Sequence, residues 1–580
     1  MGPQNPFSES LHAQKYRAPG ESFREAMNRV ASSLRDSEDH YHAFREVLLN
    51  QRFMPGGRIQ AAMGSTRDVT PYNCFVSQTI QDSFTAGQSS IMGCATRAAE
   101  TMRRGGGIGY DFSTLRPRGA LIKKLQSQST GPVSFMEVYD AVCRCVSSSG
   151  HRRGAQMGVL RVDHPDIEEF IHAKRQLGRL EGFNISVAIT DEFMEAVVNR
   201  DEFDLRFEGQ VYKTVEAASL WETIMRSCWD WAEPGVIFID TINRMNNLAY
   251  CETIAATNPC GEQPLPPDGA CLLGSFNLVK YLILTNKTSP EKHVGKLWPP
   301  EPAKVEFDFD QLVADIPHVV RAMDNVVDRA EYPLFEQEQE AKNKRRMGLG
   351  VTGVANAIEA MGFPYGTKDF CARLEGILKT IARHAYKASV ELAKEKGPFP
   401  SYDDRYMESH FLADPFFDDI RDEIQEHGIR NSHLLSIAPT GTISVCADNI
   451  SSGIEPVFAY KTDRVYIGPD GPESIEVRDY GVETLGHRGR RAGEVTVAEH
   501  LAVLVTASRW VDSAVSKTTN LDATTSWDDF KDLYLNAWRA GVKGCTVYNT
   551  DGKRNAVLTS KDEDAASCRI DPITGRRDCD

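Results

Sequence analysis

The sequence predicts an α/β fold with a mostly parallel sheet, and three observations carry that expectation. Short apolar strands alternate with helical patterns over 184–240, in NISVAIT and then GVIFID. The alternation recurs at 345–362 (RRMGLGVTGVANAIEAMG) and at 433–445 (HLLSIAPTGTISV). At 580 residues the chain has length for roughly two to four domains or one large elaborated barrel.

Taken in order, the first stretch, 1–50, is expected to be a helical segment, because SFREAMNRVASSLRD and DHYHAFREVLLNQ carry apolar residues at three- and four-residue spacing. A region punctuated by glycine follows, with MPGGR (54–58), the strand-like NCFVSQTI (73–80) and RRGGGIGYDFSTLRPRG (103–119). Glycine clusters between apolar runs mark backbone that turns sharply or passes close to another group. GPVSFMEVYDAVCRCVSS (131–148) reads as a helix leading into GHRRGAQMGVLRVDHPDIEEFI. The segments 285–304 and 462–494 read as surface insertions without chemistry. The stretch 551–580 is polar enough to be a tail.

Composition narrows the function. Net charge is -15, which argues against coating a nucleic-acid backbone, since that needs surplus Lys and Arg. An anionic small substrate is compatible with it, because helix N-termini and a few arginines bind phosphate inside an acidic protein. No run approaches the roughly 18 apolar residues of a spanning helix, and the N-terminus has no signal-like pattern, so a cytoplasmic protein is expected. Thirteen cysteines without a CxxC pair read as reduced thiols rather than a disulfide scaffold, and no Cys/His set has zinc spacing. The acceptor pattern at Asn286 is not expected to be glycosylated without a secretion signal.

The most informative segment is NPCGEQPLPPDGACLLGSFNL, 258–278. Between Asn258 and Cys271 four prolines and two glycines disfavour a helix and leave a stiff loop. In an extended stretch alternate residues share a side, so Asn258, Cys260 and Glu262 would face one substrate with a carboxamide, a thiol and a carboxylate.

This segment resembles the finger loop of ribonucleotide reductase catalytic subunits, especially the adenosylcobalamin-dependent class. The likeness runs from about 45 to 556, through MPGGR, NCFV, GGGIGYDFSTLRPRGA, RRGAQMGVLRVDHPDIEEF, FNISV, RRMGLGVTG, APTGTIS, SSGIEPVF and KGCTVYNTDGKR in order. It implies a ten-stranded α/β barrel of two five-stranded halves over 51–550, with the 258–265 loop at its centre. It makes Cys260 the thiyl-radical site, Glu262 the general base for the 3′-hydroxyl, Asn258 the residue that orients the ribose, and Cys74 with Cys271 the reducing pair. The chemistry explains the set: a sugar radical beside a deprotonating hydroxyl expels the neighbouring hydroxyl as water, and two thiols becoming a disulfide supply two electrons.

The resemblance also assigns the phosphate contacts to Pro439, Thr440, Gly441, Thr442 and Ile443, where a strand opens into a helix or turn whose N–H groups favour anions. An ordinary capped helix reads the same way. Asn73, Gly107, Pro259 and Gly261 complete the expected substrate contacts. A specificity effector, a deoxynucleotide or ATP, is expected over about 131–185, with Asp140 on its ribose and Arg152 and Arg153 on its phosphates. A homodimer is implied with it. The family's N-terminal inhibitory module is expected to be absent, with only about 45 residues before the catalytic region. A metal-dependent large subunit would carry an adjacent tyrosine pair near KGCTVY, which has only Tyr548, and a catalytically inactive relative would lack one of the five chemical residues. Adenosylcobalamin is therefore the expected cofactor. Cys568 and Cys579, in a tail with nearby arginines, are expected to re-reduce the active-site pair and pass the oxidation to a thioredoxin-like protein.

Overall fold

The computed structural model describes residues 2–148, 152–153, 155–176, 178–285, 304–468, 471–521, 524–549 and 553. Three helices open the chain. Phe23–Leu34 begins with a capping box between Ser22 and Glu25, and Glu38–Leu49 with a Ser37 cap; their apolar residues at three- and four-residue spacing are buried, as the sequence predicts. The sequence reading did not single out the first helix, Pro6–Tyr16, started by the Asn5 side chain and by Pro6 in its first turn.

The large sheet has ten strands, and the α/β expectation with mostly parallel pairing holds. Its spine is five parallel strands in spatial order: Cys74–Val76, Gly107–Asp111, Gln156–Arg161, Phe183–Ile189 and Gly235–Phe238. At one edge Cys74–Val76 pairs antiparallel with Ala270–Asn277, which runs parallel to Met347–Thr352 and antiparallel to Phe53–Pro55. At the other edge Gly235–Phe238 pairs antiparallel with Gly544–Asn549, itself parallel to Thr518–Leu521. Among the described residues these strands form an open path. Single parallel bridges at Leu349–Leu435 and Ile437–Val515 touch the gap between its ends. The strand expected over 433–438 is reduced to those bridges, and NCFVSQTI is a strand only over Cys74–Val76.

Most strand residues are buried on both faces, as parallel strands under a helical layer are. The outer face packs on helices in one extensive core. The inner face holds a small separate cluster, in which Val76, Met157, Val159, Ala188 and Ile237 surround Ala256 and Leu265 of the loop. The segment 462–494 contains the hairpin Lys461–Gly468 with Gly471–Arg478. Among the described residues no helix is long and apolar enough to cross a membrane.

Candidate active site

The loop is stiffened from its base. Ala256–Thr257 pairs antiparallel with Pro264–Leu265, and the Asn258 N–H donates to the Gln263 carbonyl at 3.0 Å. Gly261 turns the tip with a φ of +80°, which glycine adopts without strain. The Glu262 carbonyl accepts from Ser436 Oγ and from the Ala514 N–H, both at 3.0 Å. From the other side Asn184 Nδ2 donates to the Pro259 carbonyl at 2.8 Å.

The glycines of GGGIG make this approach possible. A Cβ on Gly107 would lie 3.1 Å from the Pro259 ring, and one on Gly109 only 1.8 Å from the Thr257 carbonyl oxygen. Alternate positions of that strand are bare so that the loop backbone can lie against it.

A cavity of about 440 Å³ brings together Asn258, Pro259, Cys260, Glu262, Cys74, Asn73, Gly107 and Pro439–Ile443. Asn258 Nδ2 donates to Cys74 Sγ at 3.1 Å, and the Cys74 thiol approaches Glu262 Oε1 at 3.7 Å. Cys271 is fully buried behind Cys74 as its direct antiparallel partner. Directly opposed residues in such a ladder hold their Cα atoms about 4.5–5.5 Å apart, inside the range a disulfide requires. That spacing is compatible with a disulfide between the two cysteines. Neither is in a disulfide here, nor is Cys260, which is half-buried.

Burial dominates the electrostatics. It pushes the Cys74 and Cys271 thiols well above their ordinary range, with the Glu262 carboxyl adding to the shift at Cys74. A thiol kept protonated is a poor nucleophile and a good donor of hydrogen. Burial also raises the Glu262 carboxyl, against weaker opposition from the Asn258 and Cys74 hydrogen bonds. Glu262 Oε2 and Asn73 Oδ1 are buried without a hydrogen-bond partner, a cost that a bound polar ligand would offset.

A second cavity, about 330 Å³, lies against the same loop and is bordered by Pro259, Cys260 and Gly261. Its walls include Ser186, Gly235, Phe458, Gly544 and Val547. Among the described residues Cys260 is the one cysteine that borders both cavities.

Several expectations need adjustment. Gly261 borders the second cavity and not the first. The Thr440 hydroxyl is committed to a buried set with Thr352 Oγ1, Ser444 Oγ and the Gly453 N–H, so Thr440 offers the first cavity its backbone. Asp140 is buried, accepts from the Gly182 N–H at 2.7 Å and pairs with Arg144, which fastens the helix Pro132–Cys145 to the 173–182 loop. The backbone of Arg152–Arg153 pairs with Ser147–Ser148, but its side chains lie outside the described residues, as do Cys568, Cys579 and Asn286. The segment 462–494 does border a site: Thr462, Arg464, Asp479 and Ala492 line the second cavity. Sequence reasoning also missed Lys15, Tyr16, Arg58 and Arg67, which line the first. The Asn-Pro helix start at 5–6 was the available signal for the helix that carries Lys15 and Tyr16. Among the described residues no group of three or more His, Cys, Asp or Glu is arranged to hold a metal ion.

Comparison with known proteins gives a consistent picture. A family model described as "Ribonucleotide reductase, barrel domain" matches residues 72–548. The chain is 35% identical to a vitamin B12-dependent ribonucleoside-diphosphate reductase of Mycobacterium tuberculosis, over 95% of this chain and 79% of that protein. It is 32% identical to the protein of the same name from Thermoplasma acidophilum, over 93% and 69%. A vitamin B12-dependent ribonucleotide reductase of Streptomyces avermitilis is 26% identical, over 96% and 64%.

Proposed function

This chain belongs to the ribonucleotide reductase family, and on that premise we propose that it is a vitamin B12-dependent ribonucleoside-diphosphate reductase making precursors of DNA. The observation that carries the reading is the place of Cys260, on a partition between two cavities. One cavity holds the groups that reduce a sugar. The other gives the same sulfur a separate approach for whatever generates its radical.

The second cavity suits adenosylcobalamin. Its walls mix apolar and polar side chains, and Phe458 on its lining is 39% exposed, as a surface for a large flat partner would be. Ser186, Gly235, Phe458 and Val547 would hold the cofactor. Its chemistry when bound is homolysis of a carbon–cobalt bond, which supplies the unpaired electron.

The remaining work falls to this chain's own residues. Cys260, as a thiyl, takes the ribose 3′ hydrogen, and Glu262 takes the 3′-hydroxyl proton, for which its raised pKa makes it a stronger base than an exposed carboxylate. Asn258 orients the ribose. The 2′-hydroxyl leaves as water with a proton supplied from the Cys74–Cys271 pair. The two thiols give up two electrons and two protons in all and become a disulfide, and Cys260 regains its radical when the 3′ hydrogen returns. The backbone of Pro439–Ile443 holds phosphate.

We read the sheet as a ten-stranded barrel over 51–550. One half is the five-stranded spine; the other comprises Ala270–Asn277, Met347–Thr352, 433–437, 515–521 and Gly544–Asn549. The bridges at Leu349–Leu435 and Ile437–Val515 and the inner cluster around the loop support closure. The effector region at 131–185, with Asp140, Arg152 and Arg153, remains part of the reading, supported by the Asp140–Gly182 tie between its two segments. So do a homodimer and a thioredoxin-like reductant acting through Cys568 and Cys579. Serine at both tail positions should block repeated turnover with thioredoxin but not with a small dithiol.

One assay tests the whole. Purified chain with adenosylcobalamin, a dithiol and a ribonucleoside diphosphate should form the deoxynucleotide without a second protein, and faster than with the triphosphate. A requirement for a metal-containing subunit overturns the cofactor assignment.

A further inference from the structure

The first helix lies over the substrate side of the molecule, packed on both Gly57–Ala62 and Gly441–Cys446. Each end is hooked. The Gln4 and Asn5 N–H groups donate to Asp448 Oδ1 at 2.7 and 2.9 Å, Ser8 Oγ donates to the Val445 carbonyl at 2.6 Å, and Phe7 packs on Val445 and Val477. At the other end Arg17 forks onto Glu9 at 2.5 and 2.6 Å and donates Nε to His12 Nδ1 at 2.9 Å, while His12 Nε2 meets Gln60 Oε1 at 2.9 Å. Burial lowers His12 to about 4, so the ring is neutral at pH 7 and its Nδ1 is free to accept from Arg17.

The MPGGR turn is shaped to this helix. A Cβ on Gly57 would lie 2.5 Å from the Tyr16 ring, so only glycine lets that ring rest there, and a Cβ on Gly105 would lie 2.4 Å from the Arg58 guanidinium. The fit brings Lys15 and Tyr16, in the last helical turn, into the lining of the first cavity with Arg58, Arg67 and Pro439–Ile443. Among the described residues Glu262 is the one acid in that lining. Arg67 also donates to the Lys15 and Arg17 carbonyls, which offsets the negative end of the helix where an anion would approach.

Resting on the first cavity as the substrate site, we infer that the first helix is a strap whose Lys15 binds the terminal phosphate of the nucleotide, so that its docking reads the length of the phosphate chain. A half-buried lysine on a phosphate makes a charge-assisted bond that the monophosphate, one group shorter, does not reach.

Equilibrium titration of the full chain, without cofactor or reductant, with a nucleoside diphosphate and the monophosphate of the same base tests this. Lys15→Ala should weaken the diphosphate roughly 10- to 100-fold and the monophosphate less than about twofold. Lys15→Arg should restore most of the loss, and in turnover the loss should fall on KM rather than kcat. Asp448→Ala, which unhooks the helix start without touching the cavity lining, should reproduce the selective loss at smaller size. Equal losses for both nucleotides, or none, overturn the role of Lys15, and an unaffected Asp448→Ala overturns delivery by the helix. A wild-type chain that binds neither nucleotide removes the substrate-site reading itself, and the inference with it.

Discussion

The two cavities that meet at Cys260 differ in how their charges are settled. In the second, Glu233 and Glu455 are each closed by a lysine, Lys174 and Lys517, at 2.7 Å, and Arg464 and Asp479 add one charge of each sign to a wall of mixed polar and apolar side chains. In the first, three cations line the cavity with a single acid, and that acid has one oxygen without a partner. A wall whose charges neutralise each other suits a large ligand with little net charge; one lined by several cations and a buried carboxylate suits an anion and proton transfer. The same sulfur is thus presented to two unlike environments, which is what separating radical generation from radical use requires.

The most drastic way to break this comparison is to remove the shared sulfur. Cys260→Ala should form no detectable deoxynucleotide in a product assay, while nucleotide binding by titration changes less than about threefold, since a small half-buried side chain supplies little binding energy. Cys74 borders only the first cavity and Cys545 only the second, so neither can substitute. Product from that variant would sink the partition argument.

Next in size is Glu262→Gln, which keeps shape and removes the proposed base. Turnover should fall by roughly 10² to 10⁴. Because burial raises the Glu262 pKa, the acidic limb of kcat/KM in the wild type should lie above that of an ordinary glutamate, and the variant should lose it. The sign for stability is opposite. A carboxyl whose folded pKa exceeds its unfolded value costs stability once pH rises above the unfolded value, so the neutral amide should raise Tm at pH 7. A lowered Tm would place Glu262 among the groups that hold the loop rather than those that react.

Gly109→Ala should act through position alone. A Cβ 1.8 Å from the Thr257 oxygen forces strand and loop apart, at a cost of about 1–3 kcal/mol or more, with at least a tenfold fall in turnover. Gly376→Ala, with open space around it in the long helix Lys368–Lys396, should instead stabilise by about 0.5–1 kcal/mol. Thermal melts of the two variants check both signs.

The proposed chemical residues on the loop stand out in the sequence because prolines and glycines advertise a stiff loop that carries a carboxamide, a thiol and a carboxylate. The spine strands were legible because burial on both faces leaves continuous apolar runs. Other features left no such mark. Lys15, Arg58 and Arg67 are isolated cations in three separate segments, and only the folded chain gathers them. The Gly-, Arg- and Asp-rich composition of 462–494 reads as surface although its hairpin borders a cavity. Thr440 was placed where the chain opens into a helix or turn, and it caps the helix Gly441–Cys446, but where its hydroxyl points depends on Thr352, 88 residues away.

The smallest expected effect concerns the wall between the cavities. Asn184 lines the second cavity, and its Nδ2 donates to the Pro259 carbonyl, one residue before Cys260. It is the tie on the far side of the loop from the Ser436 and Ala514 contacts to Glu262. Asn184→Ala removes one neutral hydrogen bond, worth about 0.5–1.5 kcal/mol, while the loop keeps its hairpin base and its other anchors. If that net worth is spent on holding Cys260 in register, kcat should fall roughly two- to tenfold, with KM for the nucleotide unchanged, since none of the phosphate-lining residues is touched. Steady-state kinetics separate the two parameters. A rise in KM at constant kcat would mean that the tie shapes the substrate side, and that the loop transmits between the cavities rather than dividing them.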